Sequence, residues 1–298
     1  MGELAALATA FFWAFSSVFF TSASKEIGPL NTNRARLILA VLVFLFLNLI
    51  VSGTPLPLNA TPERWMWLSL SGIFGLVLGD TALFQCYVLV GNRLGTLVIA
   101  SVPVISTLMA WALMGEMMSL IEIVGMLVCV SGIALVVLDG REGNGAQHTR
   151  KQYALGILLG TFSAVCQAAA MTLAKKGLGG GFPPLSAAVI RMLAALVVIW
   201  SITLLAGKGR SSIQALLNNR RIQKVIVGGT ICGPVIGVWL YLISIQSTLV
   251  GVSSTLMALT PVVMLPIARF YYKEQMSFRV VIGTITALAG AAIIFLVP

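Results

Sequence analysis

The stretch PVISTLMAWALMGEMMSLIEIVGMLVCVSG, residues 103–132, returns at residues 261–290 as PVVMLPIARFYYKEQMSFRVVIGTITALAG. Pro103, Glu116, Gly125 and Gly132 recur as Pro261, Glu274, Gly283 and Gly290, every pair 158 residues apart. Working outward, the same offset carries Gly75 onto Gly233, Gly79 onto Gly237, Ala100 onto Ala258 and Ser119 onto Ser277. A unit written twice predicts two similar halves. Where such halves lie in a bilayer, their interface is the first place to look for a path through the molecule.

Composition sets the solvent. Hydrophobic residues make up 58% of the 298 and charged residues 9%, with a mean hydropathy of +1.00. A soluble domain carries roughly a quarter charged residues, so polar surface is too scarce here to cover a water-soluble globule. A spanning helix needs about 20 mostly apolar residues. Such runs fall at 3–24, 31–52, 65–90, 94–115, 119–138, 153–174, 183–206, 222–247, 249–272 and 276–297. They are continuously apolar without strict alternation, which favours helices over a membrane barrel. The expected fold class is all-α, a polytopic membrane protein of ten transmembrane helices.

Several other classes lose support at this level. Cys86, Cys129, Cys166 and Cys232 all lie inside apolar runs without paired spacing, so neither a disulfide framework nor a zinc site is expected. His148 sits in a polar stretch without a second ligand nearby. No metal or cofactor is expected. Ser22-Ala23-Ser24 faintly resembles a cleavage site, but Met1-Gly2-Glu3 offers no basic start, and the first run reads as a retained helix. The net charge of +10 forms no basic soluble face that would suggest nucleic acid.

The chain divides at a polar linker, 139–152, which separates a first repeat at 1–138 from a second at 153–298. Five helices per repeat is an odd number, so the second copy enters from the opposite face and the repeats are inverted. Cations collect after the odd-numbered runs, among them Lys25, Arg93, Arg141, Arg150, Lys151, Lys208, Arg210, Arg220, Arg221, Lys224, Lys273 and Arg279. The other side holds Arg64, Lys175 and Lys176. Positive-inside counting on these loops favours termini outside the cytoplasm. The polar loop from Gly207 to Arg221 reads as lying flat on a surface, either beside anionic headgroups or simply in water.

These segments carry a family resemblance. Phe12-Trp13-Ala14, Arg36, the Pro103-to-Gly132 stretch with Met114-Gly115-Glu116, and the Pro261-to-Gly290 stretch with Lys273-Glu274 resemble the EamA-type transporters of the drug/metabolite transporter superfamily. That resemblance spans essentially the whole chain. It implies ten helices in two inverted five-helix repeats, a plasma membrane location, cytoplasmic termini (against the loop charges) and transport of small metabolites such as amino acids.

Asp80 is the leading site candidate. An acid in the middle of a membrane helix is costly, and is by default a functional hypothesis. Its repeat mate is Val238, so symmetry does not require it. Binding a substrate amine or coupling to a proton competes with a purely structural role, a hydrogen-bonded Asp fastening two helices. Arg36 and Arg191, near the starts of the second and seventh runs, suit a substrate carboxylate or phosphate; snorkelling to headgroups is the competing and favoured expectation. Trp13, Ser17, Gln85, Gln167, Trp239 and Tyr241 are polar or aromatic residues deep in apolar runs and are candidate cavity liners. Pro103 and Pro261 read as matched mid-helix kinks or hinges. Glu116 and Glu274 belong to turns leading into the next helix, with Ser119 and Glu122 fitting a capping box.

An intramembrane protease is the main enzymatic rival. Val77-Leu78-Gly79-Asp80 is similar to a G-x-G-D motif but lacks its first glycine, and no second intrahelical Asp completes a dyad. No Walker motif is present either. The expectation is therefore not an enzyme but a secondary transporter exporting amino acids or related compounds by alternating access, with a small-molecule substrate and the lipid bilayer as partners and a proton as the candidate coupling ion. An exchanger of phosphorylated or nucleotide-linked metabolites, and a non-transporting membrane scaffold, are the alternatives.

Overall fold

A computed structural model describes residues 1–138, 150–217, 219–263, 265 and 277–296. Among these residues the chain is helical and contains no strand. The helices are α1 (Gly2–Ile27), α2 (Pro29–Ser52), α3 (Pro62–Gly91), α4 (Val102–Met114), α5 (Leu120–Leu138), α6 (Arg150–Gly177), α7 (Pro184–Leu205), α8 (Gly209–Leu217), α9 (Arg220–Ser247), α10 (Val250–Met257) and α11 (Phe278–Leu296). Eight of them are long and apolar enough to cross a bilayer; α4 and α10 are shorter, and α8 is a brief polar-faced helix.

Local chemistry sets the boundaries. Pro29, Pro62 and Pro184 open α2, α3 and α7 at the first turn, where a missing N–H costs nothing. Gly53 and Gly115 close α2 and α4 in the left-handed conformation. The capping box ahead of α5 is formed: Ser119 N–H donates to Glu122 Oε2 at 2.7 Å, and Glu122 N–H donates to Ser119 Oγ at 3.3 Å.

The expectation of ten continuous spans needs correction at the fourth and ninth. Past the non-helical Gly91, residues 92–99 are helical and begin the fourth run, which is interrupted by a turn at Ala100–Ser101; the ninth is interrupted by a turn at Ala258–Leu259, positions again 158 residues apart. Pro103 and Pro261 therefore do not kink continuous helices. A proline ring clashes with the carbonyl four residues back, here that of Ile99 or Met257. The helix breaks just upstream of each proline, which then stands in the first turn of the segment that follows.

A second shared irregularity lies in α3 and α9. Residues Ile73–Gly79 and Ile231–Gly237 each form one wide π turn, also 158 residues apart. The Asp80 N–H reaches back five residues to Gly75 O, and the Val238 N–H to Gly233 O. Such turns interrupt the regular hydrogen-bond ladder and are frequent at functional sites.

The two copies are interlaced. α6 of the second copy packs on α3 of the first, and α1 of the first packs on α9 of the second. A hydroxyl from the crossing helix bonds the last carbonyl of each π turn: Ser163 Oγ donates to Gly79 O at 2.8 Å, and Thr9 Oγ1 to Gly237 O at 3.4 Å. α5 and α11 lie against one another through their repeated glycines. A Cβ on Gly132 would stand 2.2 Å from the Ala287 backbone nitrogen, and one on Gly290 2.3 Å from that of Cys129. Backbones this close exclude any side chain, so this pair serves as scaffold.

The helix ends define two faces. At the first, Gly2 lies against Thr248, and Glu116 pairs with Lys175. At the second, Glu26 bonds Asn219 and Arg34 bonds Ser212.

Candidate functional site

A cavity of about 170 Å³ lies between the copies. Its walls come from α1, α2, α3, α4, α6, α7, α9 and α10, together with Thr96, Ile99 and Ala100 at the first helix break and Ala258, Thr260 and Pro261 at the second. Both breaks and both π turns therefore border one space. Below the breaks, Ser106 Oγ and Ser254 Oγ hydrogen-bond at 2.8 Å and hold α4 beside α10.

Trp13, Ser17, Arg36, Asp80, Gln167, Arg191 and Tyr241 line this cavity, and Pro261 borders it. Two expected liners do not. Gln85 sits outside the lining, half-buried on another side of α3, and Trp239 is 36% exposed on the outer side of α9. Pro103 is buried beside the cavity and does not border it. Glu116 lies away from it, in the turn after α4; Glu274 falls outside the described residues, as does His148. The favoured snorkelling role of the two arginines is overturned. Arg36 is 5% exposed and Arg191 3% exposed, because each stands two turns into its helix and points inward.

On one side of the cavity a complete polar network forms. The Arg36 Nη2 donates to Asp80 Oδ2, and the Arg36 Nε donates to Asn33 Oδ1 at 2.8 Å. Gln167 Nε2 donates to the other Asp80 oxygen at 2.7 Å. Asn33 Nδ2 in turn donates to Leu76 O and Thr81 Oγ1, both at 2.8 Å. The guanidinium also sits over the Phe20 and Phe84 rings, 5.3 and 5.0 Å from their centroids. This pair is charge-balanced, with the Arg36 Nε and Nη2 and both Asp80 oxygens engaged.

Arg191 is held differently. Its Nη1 donates to Ser71 Oγ, to Ala170 O at 3.5 Å and to Tyr241 Oη at 3.4 Å, and its Cζ lies 5.1 Å from the Tyr241 ring centroid. It has no carboxylate partner among the described residues. Its Nε is buried with no hydrogen-bond partner. The Nε–Nη2 edge, which grips a carboxylate bidentately, is thus unused. Gly75 of the π turn passes close to that side: a Cβ there would lie 3.7 Å from Nη2, an ordinary contact distance, and 2.9 Å from the Ala170 Cβ. Trp13 and Tyr241 pack nearby with ring centroids 5.9 Å apart.

Sequence reasoning passed over Phe20, Phe84, Tyr87 and Asn33. The signal was present as helical spacing: Trp13, Ser17 and Phe20, like Asp80, Phe84 and Tyr87, fall at i, i+4 and i+7 on one face.

Away from the cavity, Glu116 Oε1 pairs with Lys175 while its Oε2 accepts the Val250 N–H at 3.0 Å, and Lys175 Nζ donates to Thr248 O at 2.6 Å. A carboxylate from the first copy thereby caps the first turn of α10 in the second, a favourable placement at a helix N-terminus. The contact ties the two copies together at the first face.

Eight apolar helices of spanning length, two broken helices and a mostly apolar cavity with a few polar and charged groups between duplicated halves define a multi-pass membrane protein with an internal cavity. The EamA-like transporter family matches residues 1–138 and again 154–296. The chain belongs to that family, and is by this membership a membrane transporter. A solved structure described as "Crystal structure of protein" superposes with a TM-score of 0.76 at 17% identity, covering 98% of this chain and 94% of its own. That likeness bears on the fold. No curated protein matches the chain.

Proposed function

We propose that this protein is a secondary transporter of small carboxylate-bearing solutes, most simply amino acids or related compounds, moved out across the plasma membrane by alternating access. The observation that carries this reading is Arg191, a buried guanidinium bordering the cavity with an unused bidentate edge and no carboxylate partner among the described residues. An uncompensated charge in a low-dielectric site is expensive, and a solute carboxylate supplies the missing partner. Trp13 and Tyr241 would then face the solute's apolar part and its amine.

Charge and size favour this over the phosphorylated or nucleotide alternative. Asp80 offsets Arg36, leaving one net positive charge between the two arginines. The cavity of about 170 Å³ is also below the ~300–1,000 Å³ common for drug-sized ligands.

In this reading the polar linker at 139–152 separates two inverted units of five helices each, the broken fourth and ninth counting as spans. The Glu116–Lys175 contact is the closed gate of the first face. Breaking it while the second face closes would expose the same cavity to the other side. Asp80, the carboxylate that holds Arg36 at the cavity wall, is the proposed coupling group for a proton.

Uptake into reconstituted vesicles tests the proposal, using a labelled panel of amino acids, dicarboxylates and sugar phosphates with and without a pH gradient. Saturable movement of an amino acid, lost in Arg191→Met, supports it. Selective movement of phosphorylated solutes would establish the exchanger instead. Folded protein that moves no solute in the panel would favour the scaffold.

A further inference from the structure

We propose that α8 and the basic residues around it form a docking site for anionic phospholipid headgroups on the second face. Its place follows from its neighbours. α7 ends at Leu205 and α9 begins at Arg220, both spanning helices, so the connection between them lies at the edge of the bilayer.

α8 presents three distinct stripes at 100° per residue. Ser212 and Leu216 face the protein: Ser212 is buried and accepts from the Arg34 guanidinium at 2.8 Å, and Leu216 packs on the cluster of Ala23, Ala35, Ile222 and Ile226. Ile213 and Leu217, one turn apart, are 46% and 67% exposed. Arg210 and Gln214, also one turn apart, are exposed on the remaining side. A helix fixed by one stripe, with an apolar stripe and a polar stripe left over, has the pattern of one lying in an interface, its apolar side among acyl chains and its polar side among headgroups.

Charge names the lipid. Lys208, Arg210, Arg220, Arg221 and Lys224 are exposed, and none has a carboxylate partner among the described residues. The nearby Glu26 is engaged by Asn219. The first face shows the opposite arrangement, with each of its cations taken up by protein. Lys175 pairs with Glu116, Arg64 lies 4.8 Å from the Phe182 ring centroid and donates to Gly179 O at 3.0 Å, and Lys176 lies 4.1 Å from the Trp67 centroid. Beneath α8, Arg34 adds a buried guanidinium whose Nε has no partner. A cluster of unpaired cations beside a membrane-lying helix attracts anionic lipid over a zwitterionic one.

The test is thermal unfolding of the full chain in a neutral detergent, with added dioleoyl phosphatidylglycerol, dioleoyl phosphatidylcholine or inorganic phosphate at equal concentration. Phosphatidylglycerol should raise the unfolding temperature in a saturable way, and neither of the others should. Lys208→Gln/Arg210→Gln/Arg221→Gln/Lys224→Gln should lose more than half of that rise, whereas Arg64→Gln/Lys176→Gln on the first face should keep it. An equal rise with phosphatidylcholine, an equal rise with free phosphate, or an undiminished rise in the quadruple variant would each overturn the proposal. Should that variant fail to fold, salt decides on the wild-type protein. Raising potassium chloride to about 1 M shortens the screening length to about 3 Å and should abolish the rise; a salt-insensitive rise overturns the proposal.

Discussion

Arg36 and Arg191 occupy corresponding places in the two copies, two turns into the helix that follows each copy's first span, yet their surroundings differ. Arg36 meets Asp80, Asn33 and two aromatic rings; Arg191 meets Ser71, Tyr241 and a backbone carbonyl. The scaffolding is symmetric down to the π turns, but at the residue just past each turn one copy has Asp80 and the other Val238. One arginine is thereby paired with a carboxylate within the protein, and the other has no carboxylate partner among the described residues. The repeated frame is shared, while the copies differ at Asp80 against Val238, at Ser71 against Gly229 and at Leu83 against Tyr241.

That comparison breaks most severely at Asp80. Asp80→Asn leaves Arg36 buried and uncompensated, and removing one partner of a buried pair costs about 3–5 kcal/mol. A large drop in unfolding temperature is expected, with much of it recovered in Asp80→Asn/Arg36→Met because the stranded charge is gone. Equal losses in the single and double variants would show that the pair does not act as a unit.

Restoring symmetry should harm function more than folding. Val238→Asp places a carboxylate in the cavity that Arg191 borders, where it would compete with the solute's. Affinity for carboxylate solutes should fall about tenfold, near 1.4 kcal/mol, measured as competition against labelled substrate in vesicles. Unchanged affinity would mean that Val238 and Arg191 do not share a binding space.

The smallest effect belongs to the Glu116–Lys175 contact, the proposed gate. Glu116→Gln removes the charge that Lys175 pairs with while keeping an acceptor for Val250. Such part-buried contacts contribute on the order of 1 kcal/mol, so turnover should change a few-fold with solute affinity nearly constant. Accessibility of a cysteine introduced at Ser254 to a membrane-impermeant reagent added on the first face should rise; no change in labelling would remove Glu116 from gating.

Much of this frame was legible in the sequence. The apolar runs marked the spans, the 158-residue offset marked the copies, and Ser119 with Glu122 marked the start of α5. The helix breaks were not legible, because a proline inside an apolar run reads equally as a kink. Whether the helix bends at Pro103 or stops at Ala100 depends on whether neighbours accept an interrupted backbone, which is tertiary information. At the site, residue type alone misassigned Gln85 and Trp239. Helical spacing explains why: Gln85 is five residues past Asp80, and Trp239 two before Tyr241, so each faces away from its cavity-lining neighbour. Arg36 and Arg191 were misread as snorkelling because distance from a helix end says nothing about which side of the helix a residue occupies. Their inward aim rests on Asp80 and Tyr241, partners from distant segments.

The most direct test of the central claim compares an amino acid with its amide as competitors for transport in vesicles holding wild-type protein or Arg191→Met. If Arg191 is the free cation that the asymmetry leaves for a solute, wild-type protein will prefer the acid strongly and the variant will treat acid and amide alike. Undiminished preference for the acid in a folded Arg191→Met variant would contradict the account.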